Sequence, residues 1–126
     1  MATMYPTLSY RDAPAALKWL AEAFGFEEVE AHAGPDGTIA HAEMRFGGAI
    51  VMFGSPKTER QEAGLGLGGI YVGGVEDVDA HHDRARAAGA EIVRELEDTD
   101  YGSREYGARD LEGNEWHFGT YDPATR

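Results

Sequence analysis

The sequence predicts an α+β fold built from two tandem βαβββ modules. Three observations carry this expectation. Strand and helix signals run through one order in the first half and restart in the second. Residues at structural joints recur at a nearly constant offset. Each half holds one helix long enough to cover one face of its strands.

The first strand is expected at about 4–10, where Tyr5, Thr7 and Ser9 alternate with Pro6, Leu8 and Tyr10. Asp12 is suited to cap a helix, and Pro14 fits a first turn, where its missing N–H costs nothing. Leu17, Leu20 and Phe24 share one face of that helix, and Gly25 supplies its stop. Strands follow at about 27–32, 39–46 and 49–54, with Gly34–Gly37 turning between the first two. A polar connector spans 55–66. The pattern then restarts with a strand at 68–74, Asp77 as cap, an Ala-rich helix to about 88 and a stop at Gly89. Strands near 91–97, 103–109 and 114–121 complete the second half, with a turn at 111–114.

The repeat can be checked by subtraction: Asp12, Gly48, Phe53 and Gly54 lie 65 positions before Asp77, Gly113, Phe118 and Gly119, and Gly25 lies 64 before Gly89. One domain over 1–126 is expected, with modules at about 4–54 and 67–121. Its halves would form a cupped mixed sheet, helices outside, around a shared groove suited to a small ligand.

Composition narrows the function. The absence of cysteine excludes disulfides, thiolate catalysis and cysteine-ligated metals. Eleven basic against 23 acidic residues give a formal charge of −12, which repels nucleic acid. No run approaches the roughly 20 apolar residues of a membrane helix, and no signal peptide is recognisable, so no membrane partner and a cytoplasmic location are expected. Ser9, Ser55 and Ser103 lie outside any Gly-x-Ser-x-Gly elbow, and the glycines at 64–69 precede a strand and lack a P-loop ending.

The stretches YPTLSYRDAPAALKWLAEAFGF (5–26), HAEMRFGGAIVMFG (41–54) and YGSREYGARDLEGNEWHFGTY (101–121) resemble the vicinal oxygen chelate superfamily of glyoxalases, extradiol dioxygenases and bleomycin-resistance proteins. The resemblance covers nearly the whole chain. Its most specific piece is the closing stretch RDLEGNEWHFGTY (109–121), whose turn resembles the Asp-Pro-x-Gly-Asn turn of the family, with Leu111 in place of proline. It implies the glyoxalase/bleomycin resistance fold and a homodimer. In the metalloenzymes of the family, the first, fourth, fifth and eighth strands each supply one metal ligand, and those positions fall here on Tyr5, Met52, Gly69 and His117. Only His117 is a good donor, so no metal and no cofactor are expected.

Strand parity selects the groove wall. His41, Glu43 and Arg45 alternate with Ala40, Ala42, Met44 and Phe46, so the apolar set should meet the helices and leave His41 and Glu43 facing His117. A relocated metal on His41, Glu43 and His117 is the alternative, opposed by Arg45 as a salt-bridge partner for Glu43. Parity with His117 adds Tyr71 and Tyr121, and the first and fourth strands add Tyr5, Thr7, Ser9, Ile50 and Met52; Tyr101 and Arg104 are rim candidates. Tyrosines with a methionine suit a planar ligand. His81 is read as semi-buried packing and His82 as solvated. The expected function is metal-independent sequestration of an aromatic or cationic natural product, like the bleomycin-resistance branch. The alternative is a lyase, isomerase or dioxygenase-like enzyme using His117.

Overall fold

The computed structural model describes residues 1–125. In chain order the elements are β1 (Thr7–Ser9), α1 (Ala13–Phe24), β2 (Glu27–Ala33), β3 (Ile39–Phe46), β4 (Ala49–Gly54) and α2 (Glu59–Ala63), then β5 (Gly69–Val72), α3 (Val78–Ala87), β6 (Glu91–Asp98), β7 (Arg104–Arg109) and β8 (Glu115–Gly119). They form two four-stranded mixed sheets of identical topology, β1-β4-β3-β2 and β5-β8-β7-β6. In each, the first strand runs parallel to the last and the other pairings are antiparallel.

The repeat is visible in individual hydrogen bonds. Asp12 accepts from the Ala15 amide at 3.1 Å and Asp77 from the Ala80 amide at 3.0 Å, each satisfying a free amide of a helix first turn. Past each first strand, the Tyr10 amide donates to the Gly54 carbonyl and the Val75 amide to the Gly119 carbonyl, both at 3.0 Å. Gly25 closes α1 at φ 77°, a left-handed conformation that glycine adopts without penalty.

The apolar faces of both sheets turn toward one core that contains the buried sides of α1 and α3. Phe24 of α1 packs on Trp116 and Phe118 of the second sheet, with ring centroids 5.5 and 4.9 Å away. His81 of α3 packs on Phe46 of the first sheet at 5.1 Å. Arg84 of α3 donates to the Ala21 and Glu22 carbonyls near the end of α1. The aromatic side chains therefore join the two halves through their apolar faces, which leaves the polar face of each sheet outside the shared core.

Two local expectations change. The connector contains the short helix α2, capped by Thr58 onto the Gln61 amide. His82 is buried, 5 % exposed, between Asp83 and Glu95, where a solvated position was expected. No described helix is long and apolar enough to cross a membrane.

Candidate functional site

Cross-strand register lays out equivalent rows on the two polar faces. On the first sheet the row is Thr7, Met52, Glu43, Glu30; on the second it is Tyr71, His117, Gly107, Arg94. The second row follows the first by 64 or 65 residues at every position.

The second face holds the denser chemistry. The His117 ring lies over Gly107, where an added Cβ would stand 2.6 Å from Cε1 and 2.7 Å from Nδ1, so glycine leaves the space the ring occupies. Its Nε2 is 3.4 Å from Glu115. Tyr71 donates to the Tyr121 carbonyl at 2.6 Å, and burial together with the Glu105 charge pushes its hydroxyl up to about 12, so it remains a neutral donor. Tyr101 and Tyr121 meet edge to face at 5.9 Å.

Glu105 sits at the centre of this group. It is 3 % exposed and accepts from Arg94 at 2.8 Å and Tyr101 at 3.1 Å. Burial alone would raise its carboxyl, but the bonds from Arg94, Ser103 and Tyr101 outweigh that and hold it below the usual carboxylate range. The Arg94 Nε is buried without a partner among the described residues. Tyr71, Arg94, Glu105, Glu115 and His117 line an open concavity of about 440 Å³ that takes no residue from the first sheet.

On the first sheet, Ser9 and Ile50 continue the polar face with Thr7 and Met52. His41 Nε2 lies 2.8 Å from Glu43 Oε2. The two faces are not brought together within the chain: no hydrogen bond or ion pair among the described residues joins His41 or Glu43 to His117, so the expected groove between the halves is not closed by one chain. The physical reason is the aromatic packing that joins the halves on the opposite, apolar side.

Other expected residues are placed differently. Tyr5 precedes β1 and is 46 % exposed, because Pro6 delays the strand to Thr7; with Ile50 and Tyr71 it lines a small cleft along the seam of the sheets. Arg104 is one residue out of phase with Glu105. It pairs with Asp79 of α3 at 2.7 Å and with Asp98 at the end of β6 at 3.2 Å, so it does not border the concavity. The expected Glu43–Arg45 salt bridge does not form among the described residues; Glu43 accepts from His41. Sequence reasoning missed Glu105 and Arg94. Strand parity within β7 was the available signal, since Glu105 and Gly107 alternate with Arg104 and Tyr106.

A larger groove, about 880 Å³, lies elsewhere, between the Gly47–Gly48 turn and the start of α3. Several of its titratable groups serve the fold: His81 bonds the Phe24 carbonyl, Arg84 bonds two carbonyls of α1, and Asp77 caps α3.

A metal on the inner strands of the family requires several convergent donors. Here Met52 offers a soft thioether, Gly69 has no side chain, Tyr5 lies outside its strand and only His117 is a suitable ligand. The inner-strand residues do not fit a divalent ion.

Residues 4–118 match the family model described as Glyoxalase/Bleomycin resistance protein/Dioxygenase superfamily. An uncharacterised Mycobacterium tuberculosis protein, Rv0887c, is 35 % identical over 121 residues, covering 90 % of this chain and 71 % of that protein. The crystal structure of TioX from Micromonospora sp. ML1 is similar at 40 % identity and a TM-score of 0.77, covering 96 % of this chain and 97 % of that one. Two further structures share the fold: TnmS3, an antibiotic binding protein from Streptomyces sp. CB03234 (17 % identity, TM-score 0.76, 97 % of each chain), and the bleomycin-binding protein of Streptomyces verticillus complexed with copper(II)-bleomycin (24 %, 0.70, 97 and 98 %).

Proposed function

Because the chain belongs to the glyoxalase/bleomycin resistance protein/dioxygenase superfamily, we propose that it sequesters an aromatic or cationic natural product, as an antibiotic-resistance-type binding protein that needs no metal ion for this. The observation that carries the reading is the second polar face. Tyr71 and Tyr101 bond the buried Glu105 carboxylate, Tyr121 packs edge to face on Tyr101, and Tyr71, Glu105 and His117 line an open concavity whose inner-strand positions lack a metal-binding donor set. Tyrosine faces stack planar ligands, and the acidic balance of −12 favours cationic ones. That TnmS3 binds an antibiotic and that the Streptomyces verticillus protein binds bleomycin support the same use of the fold here.

Neither polar face is enclosed by its own chain. The reading therefore includes a homodimer in which Thr7, Ser9, Ile50 and Met52 of one protomer, with His41 and Glu43 farther out, cover Tyr71, Tyr101, His117 and Tyr121 of its partner.

A thermal-shift screen of planar and cationic antibiotics tests this, using chelator-treated protein with mass spectrometry of the recovered ligand. A ligand at 100 times its dissociation constant should stabilise the fold by about 2.7 kcal/mol and be recovered unchanged. No shift across the panel, or a chemically altered ligand, would overturn the reading; the second result would favour an enzyme.

A further inference from the structure

We propose that Glu30, His41 and Glu43, on the neighbouring strands β2 and β3, bind a divalent first-row transition metal ion, with His32 beside them. The site depends on register. Glu30 lies opposite Glu43 and His32 opposite His41, so four potential ligands share one face of an antiparallel pair. One donor atom from each of Glu30, His41 and Glu43 lies within 4.8 Å of the others. A tetrahedral ion with bonds of about 2.0–2.2 Å holds its ligands roughly 3.3 Å apart, so small side-chain adjustments suffice. The His32 ring is stacked near His41 at 6.5 Å, and its Nε2 is 3.2 Å from Glu30.

Electrostatics favours a cation here. Two carboxylates directly opposite on neighbouring strands repel each other, and sheets usually avoid that pairing. Arg45, two residues along β3 from Glu43, makes no ion pair with either among the described residues; their partners are the imidazoles of His41 and His32, themselves potential ligands. The donor set of imidazole and carboxylate suits zinc, nickel, manganese or iron rather than a soft ion. Glu30 is exposed and His41 and Glu43 are half-buried, so an ion could enter from solvent and complete its shell with water. No inner-strand residue takes part, which separates this site from the position the superfamily uses and from His117.

The test uses tag-free, chelator-stripped chain titrated with zinc chloride and nickel chloride by calorimetry. One ion per chain is expected, with affinity falling at least about tenfold in Glu43→Gln and in His41→Ala and unchanged in His117→Ala. Side-chain histidine NMR of the wild-type chain supplies a second readout that does not depend on a variant folding: zinc should perturb His41 and leave His117 unmoved. Absence of saturable binding near one equivalent, or a response confined to His117, would overturn the assignment. The ligand screen above is run in chelator, so its failure and the failure of this site are distinguishable.

Discussion

His81 is a buried histidine whose surroundings determine its protonation. Its ring packs against Phe118 at 4.2 Å, and both nitrogens are engaged: Nε2 lies 2.8 Å from the Phe24 carbonyl and Nδ1 2.5 Å from the Tyr106 hydroxyl. A carbonyl only accepts, so Nε2 carries the proton and Nδ1 accepts from the tyrosine. Burial, aided by the Arg84 charge and opposed by the bond to Phe24, holds the pKa below the ordinary histidine value. The unfolded chain then takes up a proton at a higher pH than the folded one. The stabilisation is present above the unfolded value of about 6.5 and is lost as pH falls below it. Urea unfolding at pH 7 and about 5.5, above the range where carboxylates titrate, should show a drop in stability for the wild-type chain. His81→Phe should cost about 1–3 kcal/mol at pH 7, because it orphans the buried Phe24 carbonyl and leaves the Tyr106 hydroxyl only its long bond to the residue-81 carbonyl, and should flatten the pH dependence. An equally steep dependence in the variant would remove His81 from this account.

At the scale of elements, the β7–β8 turn acts as a clasp between the halves. Asp110 accepts from the Tyr10 hydroxyl at 2.6 Å, the Trp116 indole at 3.0 Å, the Asn114 side-chain amide at 3.1 Å, and the backbone amides of Glu112 and Asn114. Glu112 accepts from the Arg11 and Asp12 amides at 2.7 and 2.8 Å, ahead of α1. Asp110→Ala strands several buried donors at once and should lower the unfolding free energy by about 3 kcal/mol, measured by urea denaturation. A loss below about 1 kcal/mol would mean that the turn is held by other contacts. The turn itself was legible, because Asp110, Gly113 and Asn114 are local signals; its partner Tyr10, 100 positions away, was not. The same division runs through the site. Helix caps and strand faces follow from short spacings, so Asp12, Asp77, His41 and Glu43 were placed on the correct elements and faces. Arg104 was misjudged because a one-residue difference in phase moves a side chain to the opposite face of a strand. Helix α2 carries no periodic signal because four polar residues and one alanine form no apolar stripe. How the two sheets face each other depends on Phe24 and Phe26 meeting Trp116, a packing choice that no local pattern encodes.

For the whole molecule, joining the halves through their apolar faces leaves two half-sites per chain. If the sequestration reading holds, each pocket combines the first sheet of one protomer with the second sheet of its partner, and this has a consequence that a pocket within one chain does not share. Met52→Arg spoils the first-sheet half-site and His117→Arg the second, so a homodimer of either variant has no intact pocket. A mixed dimer pairs both damaged half-sites in one pocket and both undamaged ones in the other. Unfolding and refolding an equal mixture should therefore restore binding of a ligand found in the screen, to about one pocket per mixed dimer, while either variant alone stays inactive. Light scattering on each variant confirms that dimers persist, and calorimetry counts the sites. If mixing restores nothing although mixed dimers form, the pocket belongs to a single chain and the shared-site arrangement is wrong.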